Sequence, residues 1–169
     1  MSKCPQTLAG LTLDCTTSQG GIKKVWIADY SEVKVTKPEG DKITSISEIA
    51  AFKGYEFRRG TSNMTSTLTA DETTGNNYVT TEISLVFTRQ DTQKRVEMAA
   101  LSVGQLAVIV LDSNGHYWYV GLDDYVSASA AGAETGTAKG DRNAYTITLK
   151  TESATYPYEI EASAVEGLE

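Results

Sequence analysis

The chain has 169 residues, 40% of them hydrophobic and 22% charged, enough apolar content to bury a core and too much for a disordered chain. Twenty-two acidic residues against fifteen basic ones leave a formal net charge of −7, which argues against gripping nucleic acid by neutralising its phosphates. No stretch approaches eighteen uninterrupted apolar residues, so no membrane-spanning helix is expected, and the length suits one domain over residues 1–169.

Residues 1–21 mix Thr, Ser, Gly and Pro and read as an arm or loop. They carry no apolar signal segment, so the chain is expected to be made in the cytoplasm. Cys4 and Cys15 stand eleven positions apart without a nearby histidine. That is too few ligands for a zinc site, and unpaired thiols are the expectation. After the QGG breaker, IKKVWIADY over residues 22–30 is the first strand, rich in β-branched and aromatic residues. KPEGD over residues 37–41 reads as a turn, and KITSISEI over residues 42–49 as a short edge strand.

Residues 55–90 form the most regular part: two long threonine-rich runs separated by ETTGNN, with Gly75 and Asn76 in the turn. In the second run Val79, Thr81, Ile83, Leu85 and Phe87 share one face, and Tyr78, Thr80, Glu82, Ser84, Val86 and Thr88 the other. One face is apolar enough for a core; the other is small, polar and wet. Arms of about ten residues exceed the usual strand length, so the hairpin is expected to outreach the body of the domain. The period then changes over residues 91–104. Asp91 or Thr92 caps a helix, Val96, Ala99, Ala100 and Val103 recur at helical spacing, and Gly104 ends it.

LAVIVLDS resumes as a strand, followed by NG and HYWYVG. The only histidine, His116, lies within five residues of Asp112 and Ser113, a grouping that invites comparison with a catalytic triad. Asn-Gly between two β-rich runs is instead a two-residue hairpin signal, placing Ser113 across from His116 with Asp112 on the opposite face. No GxSxG elbow occurs, so the turn is read as structural and no catalytic residue is assigned. The segment LDDYVSASAAGAETGTAKGDRNAY, rich in Gly, Ala, Ser and Thr, reads as a flexible or interface-forming loop. Its glycine spacing fails the phosphate-loop pattern, because Asp141 follows Gly140 where that loop needs lysine. AYTITLK (residues 144–150) and YEIEASAV (residues 158–165) close the chain as alternating strands.

The acidic pairs Asp71 with Glu72, Asp123 with Asp124, and Glu159 with Glu161 read as solvated carboxylates, so no metal and no cofactor is expected. Trp26, Trp118, Tyr117 and Tyr119 would suit a sugar-stacking platform, although aromatic residues within strands are usually core. The expected fold is mainly β: an antiparallel β-sandwich or open barrel of seven to nine strands, with one short α-helix and a long β-hairpin.

Three separated blocks, DCTTSQGGIKKVWIADYSEV, LAVIVLDSNGHYWYVG and ETGTAKGDRNAYTITLKTESATYPYEI, together resemble tail structural proteins of bacteriophages of gut Bacteroidales, of the tail tube (major tail protein) kind. That resemblance implies a tail-tube fold assembled as hexameric rings. Their hairpins line a continuous inner barrel, stacked into a tube that conducts the genome. The implied location is the virion tail, with assembly in the host cytoplasm. The implied partners are further copies of the chain and other tail proteins, with DNA as non-specific cargo and no membrane. Under it, Thr80, Glu82, Ser84 and Thr88 would face the lumen, and Arg58, Arg59 and Arg89 would meet a neighbouring subunit. Two alternatives differ in architecture or class: another virion component such as a head-to-tail connector, tail terminator or capsid decoration protein, and a carbohydrate-binding β-sandwich.

Overall fold

The computed structural model describes residues 8–36, 38 and 40–168. Cys4, Lys37 and Glu39, and with them parts of the expected arm and of the KPEGD turn, lie outside the described residues. Ten strands and one α-helix follow one another: β1 (Ile22–Asp29), β2 (Lys42–Ile43), β3 (Lys53–Tyr55), β4 (Asn63–Asp71), β5 (Asn76–Thr88), α1 (Thr92–Val103), β6 (Leu106–Asp112), β7 (Tyr117–Val120), β8 (Ser127–Glu134), β9 (Ala144–Ser153) and β10 (Tyr158–Ile160). Six strands form one sheet in the order β2-β10-β7-β6-β1-β3, and four form a second in the order β4-β5-β9-β8. All pairings are antiparallel except β10 with β2. The mainly β, sandwich-like fold expected from the sequence is the fold observed.

The six-stranded sheet is buried on both faces. In β6, Leu106, Val108 and Val110 point into the core between the sheets, while Ala107 and Ile109 point into a second apolar cluster on the far side. A strand with two dry faces needs apolar residues at every position, which is why LAVIVLD lacks alternation. β1 divides likewise, with Val25 and Ile27 inward and Trp26 and Ala28 outward. The outer cluster is covered by Val33 from the loop after β1, Ile43 of β2, and Phe52 and Val165 at the 3-10 turns Ile49–Ala51 and Ala162–Val165.

The four-stranded sheet is buried on one face only. Val79, Ile83 and Leu85 of β5 and Ile147 and Leu149 of β9 are each at most 1% exposed, and the intervening residues face outward. Thr81 lies on the buried face at 1% exposure, where its hydroxyl meets Ser66 at 3.0 Å. Thr151, also buried, donates to the Tyr125 carbonyl at 3.1 Å. A buried hydroxyl is tolerated when it is so paired.

Several boundaries differ from the sequence expectation. The hairpin begins at Asn63, not at residue 55, because β3 pairs with β1 in the other sheet and residues 56–62 carry the chain between sheets. Its turn is built on Asp71, whose carboxylate accepts the Thr73 and Thr74 amides, while Gly75 takes φ 72°. The expected overhang is present: β9 pairs with β5 only as far as Val79, so residues 69–78 project as a two-stranded tip exposed throughout. The helix starts where expected, with the Asp91 side chain accepting the Lys94 amide at 2.8 Å. Its buried side, however, is Met98 and Leu101. The stripe chosen from periodicity faces solvent, with Val96 53% and Val103 87% exposed, because two large residues fill the gap beside the sheets better than Ala and Val do.

Only Lys42 and Ile43 of the expected 42–49 strand pair, and β10 ends at Ile160, after which the chain turns into 3-10 geometry. Glu161 therefore lies beyond the strand that was expected to hold it beside Glu159. The largest correction is β8: the segment read as a loop is an eight-residue strand paired along β9. Ala, Ser and Gly have little preference for strands, and here the ladder offered by β9 overrides it. β9 itself extends three residues past the expected Lys150.

Candidate assembly surface

The solvated face of the four-stranded sheet is assembled from the register outward. Across it, Thr65, Glu82 and Lys150 stand side by side, as do Thr67, Thr80 and Glu152, and Asn63, Ser84, Thr148 and Ala130. Thr80, Glu82, Ser84 and Thr88 thus share this face, opposite the core, with Glu82 exposed and the other three partly covered by neighbours. Val86 lies among them yet is only 4% exposed, and its amide donates to the Ser62 hydroxyl at 3.2 Å. The residues the sequence left unassigned on this surface are Thr146, Thr148, Lys150 and Glu152 of β9, legible from the alternation TITLKTE, and the outward positions of β8. Lys150 and Glu152 approach to 3.8 Å, and Glu134 pairs with Arg142.

The edges of this sheet are the more unusual feature. β4 runs from Asn63 to Ala70 without a charge or a proline before Asp71, and β8 from Ser127 to Ala133 before Glu134. β8 carries a single irregularity, between Ala128 and Ala130, and a side chain at Gly132 would meet only open space. Long uncharged edges are templates for another strand. At the end of β8, the Asp141 carboxylate accepts the Thr137 and Ala138 amides at 2.8 and 2.7 Å and its acidity is strengthened by them. Gly136, at φ 68°, leaves no room for a side chain against Asp141.

Arg58 and Arg59 are exposed in the crossing between the sheets, and Arg89 is exposed directly after β5. Arg89 adopts φ 66° and its amide donates to the Asn143 carbonyl at 2.6 Å. None of the three makes an ion pair within the described residues.

Residues 112–116 form a turn, though not in the expected form. Asp112 closes it through its own amide and the His116 carbonyl at 3.0 Å, with Ser113, Asn114 and Gly115 between and Gly115 at φ 89°. This is a three-residue connection, so Asp112 rather than Ser113 lies across from His116. The Asp112 carboxylate accepts the Asn114 and His116 amides, each at 2.9 Å, and the Trp118 indole at 3.0 Å. Burial alone would raise its pKa; these bonds outweigh it and hold the group below its ordinary value. The Ser113 hydroxyl donates to the Gly20 and Gly21 carbonyls at 2.9 and 3.0 Å. His116 instead places Nδ1 2.8 Å from Glu159, which Lys42 also approaches at 3.1 Å. His116 first, then Lys42, lowers the Glu159 pKa. The serine and histidine are thus engaged with different partners.

Of the aromatic residues considered for sugar stacking, Trp26 is 5% and Tyr119 3% exposed; Tyr117 packs against Trp26 and Trp118 is tied to Asp112. No group of three or more His, Cys, Asp or Glu among the described residues is arranged to hold a metal ion, and Cys15 is a free, exposed thiol. No helix among the described residues is long and apolar enough to cross a membrane. Comparison with protein-family models, with curated proteins and with solved structures finds no match for this chain.

Proposed function

We propose that this protein is a virion structural subunit that self-assembles into rings, six-fold in the resemblance noted above, which stack as a bacteriophage tail tube for genome passage. The observation that carries the reading is the pair of long, nearly uncharged edges on a sheet with one dry and one wet face. Four antiparallel strands leave β4 and β8 running in opposite directions. Rotation about an axis would therefore bring β8 of one copy beside β4 of the next in antiparallel register, and a closed ring leaves no open edge.

Six copies would give a barrel of about 24 strands. At 4.7–4.9 Å between strands and a tilt of about 35–45°, its diameter is roughly 44–53 Å, wider than a DNA duplex. The threonine-rich face with Thr80, Glu82, Ser84 and Thr88 would line it. Small hydroxyls and an acidic excess, with Lys150 held beside Glu152, offer phosphates little cationic grip, so DNA passes without being held. Exposed Arg58, Arg59 and Arg89 are placed to pair with acidic residues of a neighbour, and the projecting tip at residues 69–78 to reach an adjacent ring.

Negative-stain electron microscopy of the purified chain at rising concentration, with mass by light scattering, tests this reading. Rings or stacked tubes are expected. A particle that stays monomeric at every concentration would overturn it, and single closed rings that never stack would redirect it to a connector or terminator.

A further inference from the structure

The arm contains an unused strand pattern. In LTLDCT, residues 11–16, Leu11, Leu13 and Cys15 alternate with Thr12, Asp14 and Thr16, the period of a half-buried strand. Yet Leu8, Leu11 and Leu13 are 97%, 103% and 98% exposed. Asp14 is the only charge between residues 8 and 21, and its carboxylate accepts the nearby Thr16 amide, at 2.9 Å, with no partner beyond its immediate neighbours among the described residues.

Elsewhere the chain holds a groove of the matching kind, about 460 Å³, between β3 and α1. Consecutive residues Lys53, Gly54, Tyr55 and Glu56 line it. Side chains of alternate parity cannot all point one way, so β3 presents its backbone edge, which is the outer edge of the six-stranded sheet. Its apolar floor is Phe87, Met98 and Leu101, and Tyr55 donates to Glu97 of α1 at 2.8 Å. Burial, then Glu97, pushes the Tyr55 hydroxyl pKa up, which keeps that donor protonated. Lys53 at the rim makes no ion pair among the described residues. With α1 standing along it, this edge is closed to a whole sheet and open to a single extended chain.

We infer that the groove between β3 and α1 receives the extended arm, residues 8–16, of a second copy of this chain. Leu11 and Leu13 enter the groove, the backbone adds to β3, and Asp14 meets Lys53. The occupant comes from another copy because the arm's root points the wrong way to fill its own groove. Gln19 and Asn114 bond to each other, the Gln19 amide donating at 2.9 Å, which directs the arm toward the β6–β7 turn, whereas β3 lies on the other side of β1. From Gln19 to Leu11 an extended chain reaches at most about 27 Å, enough to cross to an adjoining molecule. The inference rests on the self-association proposed above and adds to it a second, non-barrel contact.

Cys15 allows a direct test in the full-length chain. In a Cys4→Ser background, Gln93→Cys puts a thiol at the groove, and Thr44→Cys puts one at a different surface cavity. Mild oxidation is expected to link copies through Cys15 in the first variant, at least tenfold more than in the second. Adding Leu11→Asp with Leu13→Asp, both in the exposed arm and harmless to the fold, is expected to abolish the link. Lys53→Glu weakens it and Asp14→Lys in the same chain restores it. A link formed within one chain, or equal linking at both positions, would sink the inference. Rings that form without the groove link would remove the arm contact alone, whereas linked copies that never close into rings would remove the ring reading alone.

Discussion

The two sheets of this protein treat their edges in opposite ways. The six-stranded sheet ends in β2, two residues with Lys42, and β3, three residues with Lys53, and both its faces are dry. The four-stranded sheet ends in strands of nine and eight residues free of charge over nearly their whole length, and one of its faces is wet. Short, lysine-bearing edges discourage pairing with another whole sheet. The contrast separates a sheet with short, charged edges from one whose long edges are where the proposed assembly would pair.

The comparison can be broken most severely at the shared core. Leu149→Ala, at a fully buried position of β9, is expected to cost about 3 kcal/mol, seen as a lower urea midpoint with unchanged slope. Asp112→Ala removes three hydrogen bonds at one carboxylate and leaves the Trp118 indole unpaired. A loss of about 2 kcal/mol is expected by the same measurement.

Acid sharpens the picture through Asp112 and Glu159. Both are held below their ordinary values of 3.8 and 4.5. The stability they contribute is therefore complete above those values and is lost as pH falls through the lower folded values. From these two groups the melting temperature should be level between about pH 7 and 5 and decline below about pH 4. A decline already complete at pH 5 would contradict the assignment.

The smallest effects on stability belong to the wet face and the β8 edge of the four-stranded sheet. Thr148→Ala on the wet face and Ala130→Lys on the β8 edge should each stay within about 0.5 kcal/mol of the parent in unfolding. Only Ala130→Lys should raise the concentration needed for assembly, by tenfold or more in light scattering. Equal assembly by both variants would remove β8 from the proposed seam.

How far the sequence revealed this arrangement follows from which force dominated locally. Alternation in β5 was legible because its two faces meet different media, and the Asp91 cap because it is a local bond. The helix face was not legible from spacing: Val96, Ala99, Ala100 and Val103 fit a helical stripe, but packing selected Met98 and Leu101. β8 was hidden because small residues carry no strand signal, and its formation depends on β9, which follows it in the chain. The 112–116 turn was recognised as a turn but misread in length. Asn-Gly fits a two-residue loop, whereas the Asp112 carboxylate organises three. Which side chains converge on the wet face could be listed for β5 alone, since the rest of that surface depends on register between distant strands.

The Asp112 carboxylate also gives the molecule an optical handle. It holds the Trp118 indole, and the adjoining Asn114 holds the root of the arm at Gln19. One chromophore is thereby linked to the turn that tethers the arm, through Asn114 at Gln19 and through Ser113 at Gly20 and Gly21. Capture of the arm by a neighbour, as proposed, is therefore expected to alter the surroundings of the Trp118 indole through the 112–116 turn, so the protein's own fluorescence is a label-free readout for the proposed assembly.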